Sequence, residues 1–277
     1  MAEQLFVFVQ LEFPWALGPP DGRYLMRASP GGPPERVIVL EGTTPNSAPA
    51  PARTTRVTVI DPVSLSAESQ ARAWLTDFEG ECERGIADAI ALVNRMLHLH
   101  RLAAADPHVH EVSSAQALAV RAGWGEGEQL ADGRWTHASE LPAVAAPRRR
   151  AGVLRRGARR ERASALSHVE RLASLLGARE TPLVCEELAL RARGDLDAGR
   201  PAHAALELQS ALAAAVSELR AEERHDLALR IDELEQLSGG VEQQAAAARG
   251  GGQPDGEVIA HALGRLEAVL RARQLRL

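Results

Sequence analysis

Four of the nine histidines fall within the 13-residue stretch "HLHRLAAADPHVH", at His98, His100, His108 and His110. Metal ligation needs imidazoles that converge on one point. On a helix each residue turns by about 100°, so His98 and His100 would point about 200° apart and cannot share an ion. His108 and His110 would share a face if "HVHEV" is extended, with Glu111 on the other face, and one histidine of each pair could meet across the Asp106-Pro107 turn. His108 and His110 are therefore the metal candidates, and weak ones. Histidines near a helix C-terminus more commonly serve the helix end itself, so the expectation is no metal and no cofactor.

A second candidate is "RAGWGEGEQLADGRWTHA", Arg121 to Ala138, which holds four glycines and two of the four tryptophans. A dinucleotide loop needs GxGxxG directly after a strand and before a helix. Here Gly123, Gly125 and Gly127 are spaced GxGxG, and Glu126 and Glu128 among them would repel a phosphate. The stretch instead reads as a rigid hairpin or Ω-like loop with "ADGR" as a tight turn. Trp124 and Trp135 would pack on each other or on a sheet. Its functional alternative is a partner-binding loop presenting Trp124, Glu126, Glu128, Asp132, Arg134 and Trp135, since glycine-bearing loops of this length often carry function.

The third candidate is a basic run, "RRRAGVLRRGARRER", with eight arginines between Arg148 and Arg162. Such runs neutralise phosphates in a salt-dependent way. No aromatic residue is interleaved to stack a base, and no helix-turn-helix, zinc-finger or RNA-recognition signature accompanies it. Arg148, Arg149, Arg150, Arg155, Arg156, Arg159 and Arg160 are thus candidates for non-specific nucleic-acid or anion contact, with a solvated linker as the alternative. The whole chain, at net charge -5, gives no global sign of nucleic acid or membrane.

Familiar catalytic machinery is missing. The chain has no lysine, so all 32 basic side chains are arginine. That excludes a Walker A loop and lysine Schiff-base chemistry. There is no GxSxG elbow and no HExxH. Cys82 and Cys185 lie far apart and outside any CxxC, which suits a reducing compartment and a cytoplasmic protein. The carboxylates of "LVCEEL" would raise the Cys185 thiol and discourage a nucleophile. Asp61, in "IDP", matches ordinary strand-to-turn chemistry. The acidic "MAEQLFVFVQLEF" does not read as a signal peptide, and no apolar stretch approaches the length of a membrane span.

The elements that must position these groups follow from periodicity. "LFVFVQLEF" alternates Leu5, Val7, Val9, Leu11 and Phe13 against Phe6, Phe8, Gln10 and Glu12, a strand pattern. "RYLMR", "RVIVLEG" and "RVTVI" complete a three- or four-stranded antiparallel sheet ending near residue 62, which needs a helix on one face. A long helix is expected over about 67–104, N-capped by Ser66 and open to a break at Gly80 or Gly85. Ser113 and Gln116 form a capping box for a short helix over 113–122, which Gly123 would close. Residues 1–140 form an α+β domain on this reading, 141–162 an Ala/Pro/Arg-rich linker, and 163–277 an all-helical region. Within the last, Leu166, Val169, Leu172 and Leu176 line one helix. Thr181 with Pro182 starts another, one runs from about Glu222 to Leu237, and one from about Asp255 to Leu275.

The pair of helices around Gly199 resembles a single tetratricopeptide-like hairpin over about residues 185–218. "DAGRPAHAALELQSAL" puts Gly199 at the turn, Ala204 at the helix contact, and Leu208, Ala211 and Leu212 beyond it. Leu188, Arg191, Ala192 and Asp195 replace the family's aromatic and small residues in the first helix, and no second copy follows at that period. The resemblance implies a peptide- or protein-binding role. The sequence therefore points to an α+β chain that is a non-enzymatic interaction or scaffold protein, binding a protein partner or itself through its C-terminal helices. A nucleic-acid-associated accessory protein is the second reading, and an unfamiliar small-molecule or metal-binding enzyme the third.

Overall fold

The computed structural model describes residues 4–43, 54–141 and 162–274. It divides into two compact units, Met1–Ala104 with Val109–Glu180, and Ala105–His108 with Thr181–Leu277.

The first unit is built on a six-stranded antiparallel sheet, β1 (Leu5–Phe13), β2 (Gly22–Arg27), β3 (Pro34–Thr43), β4 (Thr54–Ile60), β5 (Ala119–Glu126) and β6 (His137–Leu141). Their spatial order is β2-β3-β4-β1-β5-β6. The alternation in β1 sorts its side chains as expected. Val7, Val9, Leu11 and Phe13 are buried on one face with Ile38, Leu40, Val57 and Val59 of the neighbouring strands. Three helices supply the cover, α1 (Glu68–Gly80), α2 (Cys82–Ala104) and α4 (Arg162–Leu176). On the opposite face Phe8, Val39 and Ile60 pack with Leu130, which belongs to the short helix α3 (Gly127–Ala131).

The sheet has six strands, two more than the four at most expected: the stretch expected as a helix over 113–122 makes only a single 3-10 turn, Ser114–Gln116, and then enters the sheet as β5, to which β6 adds. The capping box exists: the Ser113 N–H donates to the Gln116 carboxamide at 2.8 Å. The helix stops there because the Leu118 N–H donates to the carbonyl of Glu12 (2.6 Å), which starts the β1–β5 ladder. The long helix breaks at Glu81 between α1 and α2, where the Phe78 ring lies against the bare backbone of Gly85. Ser66 does not cap α1; its N–H donates to the Gln70 side chain instead. α4 joins the first unit, where the sequence placed it with the helical region. The Arg171 guanidinium, nearly buried, donates to the Leu102 carbonyl at 2.9 Å and pairs with Glu180 at 2.9 Å, tying α4 to the end of α2.

The second unit consists of α5 (Val184–Asp197), α6 (Pro201–Ala221), α7 (Ala228–Arg249) and α8 (Gly256–Gln274). Gly199 takes a left-handed φ of +70° at the α5–α6 turn, and Pro201 opens α6 where a missing N–H costs nothing. α5 begins after Leu183 rather than at Thr181, because carboxylates cap it there. Glu186 accepts from the Leu183 N–H, and Glu218 of α6 accepts from Val184 and Cys185 at 2.8 and 3.0 Å. α7 starts at Ala228, later than expected, and continues through Gly239 and Gly240 to Arg249. α8 packs on all three other helices, burying Ile259, Leu263 and Leu266 completely. A bidentate pair, Arg193 with Glu267 at 2.8 and 3.0 Å, fastens it to α5. The four helices close into a bundle in which α8 packs on α5, α6 and α7.

Candidate functional site

The glycine- and tryptophan-rich stretch is a hairpin, as one of its two expected forms had it: β5 and β6 pair antiparallel, joined by the short helix α3 and a turn at Asp132-Gly133. Gly123 and Gly125 lie in β5, and a Cβ on Gly123 would sit 2.1 Å from the carbonyl oxygen of His137 in β6. Only a bare backbone permits that approach, which is the physical reason for glycine here. The two tryptophans lie on opposite faces. Trp124 pairs in register with Val7, is 2% exposed, and stacks on His137 with centroids 4.4 Å apart. Trp135 packs on Phe8 at 5.9 Å with Leu130 nearby.

Trp124 thus has almost no surface to offer a partner. Glu126 and Glu128 belong to the turn into α3, where the Gln129 side chain accepts from the Glu126 N–H. Asp132 pairs with Arg23 of β2 and with Arg134, each at 3.2 Å, and all three are exposed. These residues fasten the α3 turn over the sheet.

The histidines do not converge. His108 lies 3.8 Å from the Asp197 carboxylate, and His110 is exposed. Among the described residues no group of three His, Cys, Asp or Glu is placed to hold a metal ion. Asp61 accepts from the Val63 N–H at 2.9 Å and lies 3.7 Å from Arg36, the strand-to-turn role its sequence suggested. Arg148, Arg149, Arg150, Arg155, Arg156, Arg159 and Arg160 lie outside the described residues.

Cys185 is fully buried. Burial chiefly pushes its thiol well above the usual range. A hydrogen bond to Glu218 and the negative charges of Glu218 and Glu186 add to this, against an opposing effect of Arg273. A thiol held protonated in this way is no nucleophile.

One concavity among the described residues was not legible in the sequence. Between α7 and α8 lies an open groove of about 390 Å³. Gln236, Leu237 and Gly240 form one wall and Val258, His261 and Ala262 the other, with Asp255 and Glu257 at the rim. The two helices are tied at either end. Arg265 pairs with Glu233 at one, and the Asp255 N–H donates to the Gln244 side chain (2.7 Å) at the other. Between the ties Gly240 and Ala262 contribute little volume, and a Cβ on Gly240 would meet only Val258, at 3.9 Å. Its floor and walls are largely apolar, with Asp255, Glu257 and His261 as the titratable groups that line it.

No helix among the described residues is long and apolar enough to cross a membrane. Comparison with protein families, with curated proteins and with solved structures finds no match to this chain.

Proposed function

We propose that this chain is a non-enzymatic interaction protein whose helical unit takes an apolar side chain of a protein partner, or of a second copy, into the groove between α7 and α8. The observation that carries this reading is the groove itself, an apolar recess of about 390 Å³ open to the surface. Its size lies at the lower end of the range of small-ligand pockets, about 300–1,000 Å³, and is more than one apolar side chain needs. The nearby Val258 is 36% exposed, an apolar wall that a partner would bury. The bundle beneath is stiffened by the α5–α8 ion pair, as a docking platform requires. The free cysteines, Cys82 and Cys185, fit a cytoplasmic setting.

The test is a photo-crosslinking amino acid at Gln236, illuminated in the producing cell. The expected result is one discrete adduct, lost when Gly240→Leu fills the groove. Adduct yield no higher than from the same group at Arg72, on the exposed surface of α1, would reject the reading.

A further inference from the structure

The occupant of the groove is identifiable from α7 itself. Leu229, near the start of that helix, is 85% exposed, the most exposed large hydrophobic side chain among the described residues. It stands on the same side of α7 as the groove. Residues seven and eleven positions further on, Gln236 and Gly240, return to within about 20° of its direction at about 100° per residue. The helix therefore carries an apolar knob and an apolar hole on one stripe, about 16 Å apart at about 1.5 Å per residue.

A knob and a hole on one straight element are self-complementary under a two-fold axis, because each copy supplies what the other lacks. Resting on the groove's reading as an interaction site, we infer that its occupant is a second copy of this chain. Two α7 helices lie antiparallel, and Leu229 of each enters the α7/α8 groove of the other.

Charge supports this pairing. The register that sets Leu229 against Gly240 also sets Glu233 against Gln236, and it brings the Glu233 side chains of the two copies within about one helical turn of each other across the axis. Glu233 is already neutralised by Arg265 of its own chain, whose hydrogen bond holds its carboxyl below the usual range. Beside the knob stands the exposed guanidinium of Arg230, while the rim of the hole carries Asp255 and Glu257. The small residues Gly239 and Gly240 leave room for the approach of the second helix.

The experiment is light scattering with size-exclusion chromatography, on the full chain, from about 1 to 100 µM. The wild type is expected at twice the chain mass of 29.7 kDa. Leu229→Ala removes both symmetric knobs at once and weakens the dimer about a hundredfold, as the loss of two buried leucine contacts implies. Gly240→Leu fills both holes and does the same, and as a better helix former at an uncrowded position it keeps its circular dichroism. Mixing the two variants restores one complete knob-and-hole contact, so a heterodimer appears that neither forms alone. Leu206→Ala, on α6 and 37% exposed, leaves the dimer intact. A wild type that is monomeric at 100 µM would overturn the inference, as would a dimer indifferent to both variants or variants that do not complement. A monomer that still gives a discrete crosslinked adduct at Gln236 with another protein would sink the self-association alone and leave the groove as an interaction site.

Discussion

Gly123→Ala should destabilise the first unit by about 2–3 kcal/mol. The new Cβ would lie 2.1 Å from the His137 carbonyl oxygen and 2.8 Å from the Ala138 Cα, where a carbon–oxygen contact normally needs about 3.3 Å. β6 must therefore retreat by roughly 1 Å. Overpacking of this kind costs about 1–3 kcal/mol, and strained or lost ladder bonds add about 1 kcal/mol each. Against this, alanine lowers the entropy of the unfolded chain by about 0.4–1 kcal/mol. All four tryptophans, Trp15, Trp74, Trp124 and Trp135, belong to the first unit, so indole fluorescence during urea unfolding reports that unit alone. The midpoint should fall by about 1 M or more at an m-value of about 2 kcal/mol/M. Gly80→Ala, which meets nothing within 4 Å at the end of α1, should leave it unchanged or raise it slightly. An unchanged midpoint for Gly123→Ala would refute the β5–β6 pairing and return the stretch to a loop.

Other groups give independent readouts. Tyr24 is the single tyrosine of the chain, and burial first, then Asp21, push its phenol up to about 12. Its absorbance near 295 nm should half-titrate near there, two units above an unfolded control, and stability should fall as pH rises from about 10 through 12 because the folded state holds the proton. A midpoint near 10 with the fold intact would contradict the burial. Native protein should show one accessible thiol, the half-buried Cys82, with Cys185 reacting only as the helical unit opens; two fast thiols would contradict that packing. Glu218→Ala removes the caps on Val184 and Cys185 and should cost about 1–2 kcal/mol, read as earlier exposure of Cys185 in denaturant. Unchanged Cys185 labelling would show that Glu218 does not hold the α5 terminus.

Where a single element carried its own period, the sequence was readable. The alternation of β1 and the Gly199–Pro201 helix break both stand in the structure as written. The misreadings share one cause, a distant partner overriding local preference. "SAQALAVRAG" has helix-forming alanines and a real capping box, yet Glu12 of β1 draws it into the sheet. β6, "HASEL", has no β-branched residue and is a strand only because β5 lies beside it. The α5 start depends on Glu218, more than thirty residues away. The groove could not be seen because it arises from the spacing of two helices, and Gly239-Gly240, a plausible helix stop, lies inside α7. Leu229 was visible as a residue, but its exposure was not.

The most direct test of the account is a distance across the two-fold axis. With Cys82→Ser and a spin label on Gln236→Cys, the buried Cys185 stays unlabelled, and dipolar electron paramagnetic resonance reads only label pairs between copies. The antiparallel α7 pairing gives a single inter-copy distance below about 20 Å, since Gln236 lies about one helical turn from its symmetry mate in that register. That distance should vanish on Leu229→Ala. Absence of a dipolar signal at 100 µM, or a distance that Leu229→Ala leaves untouched, would contradict it.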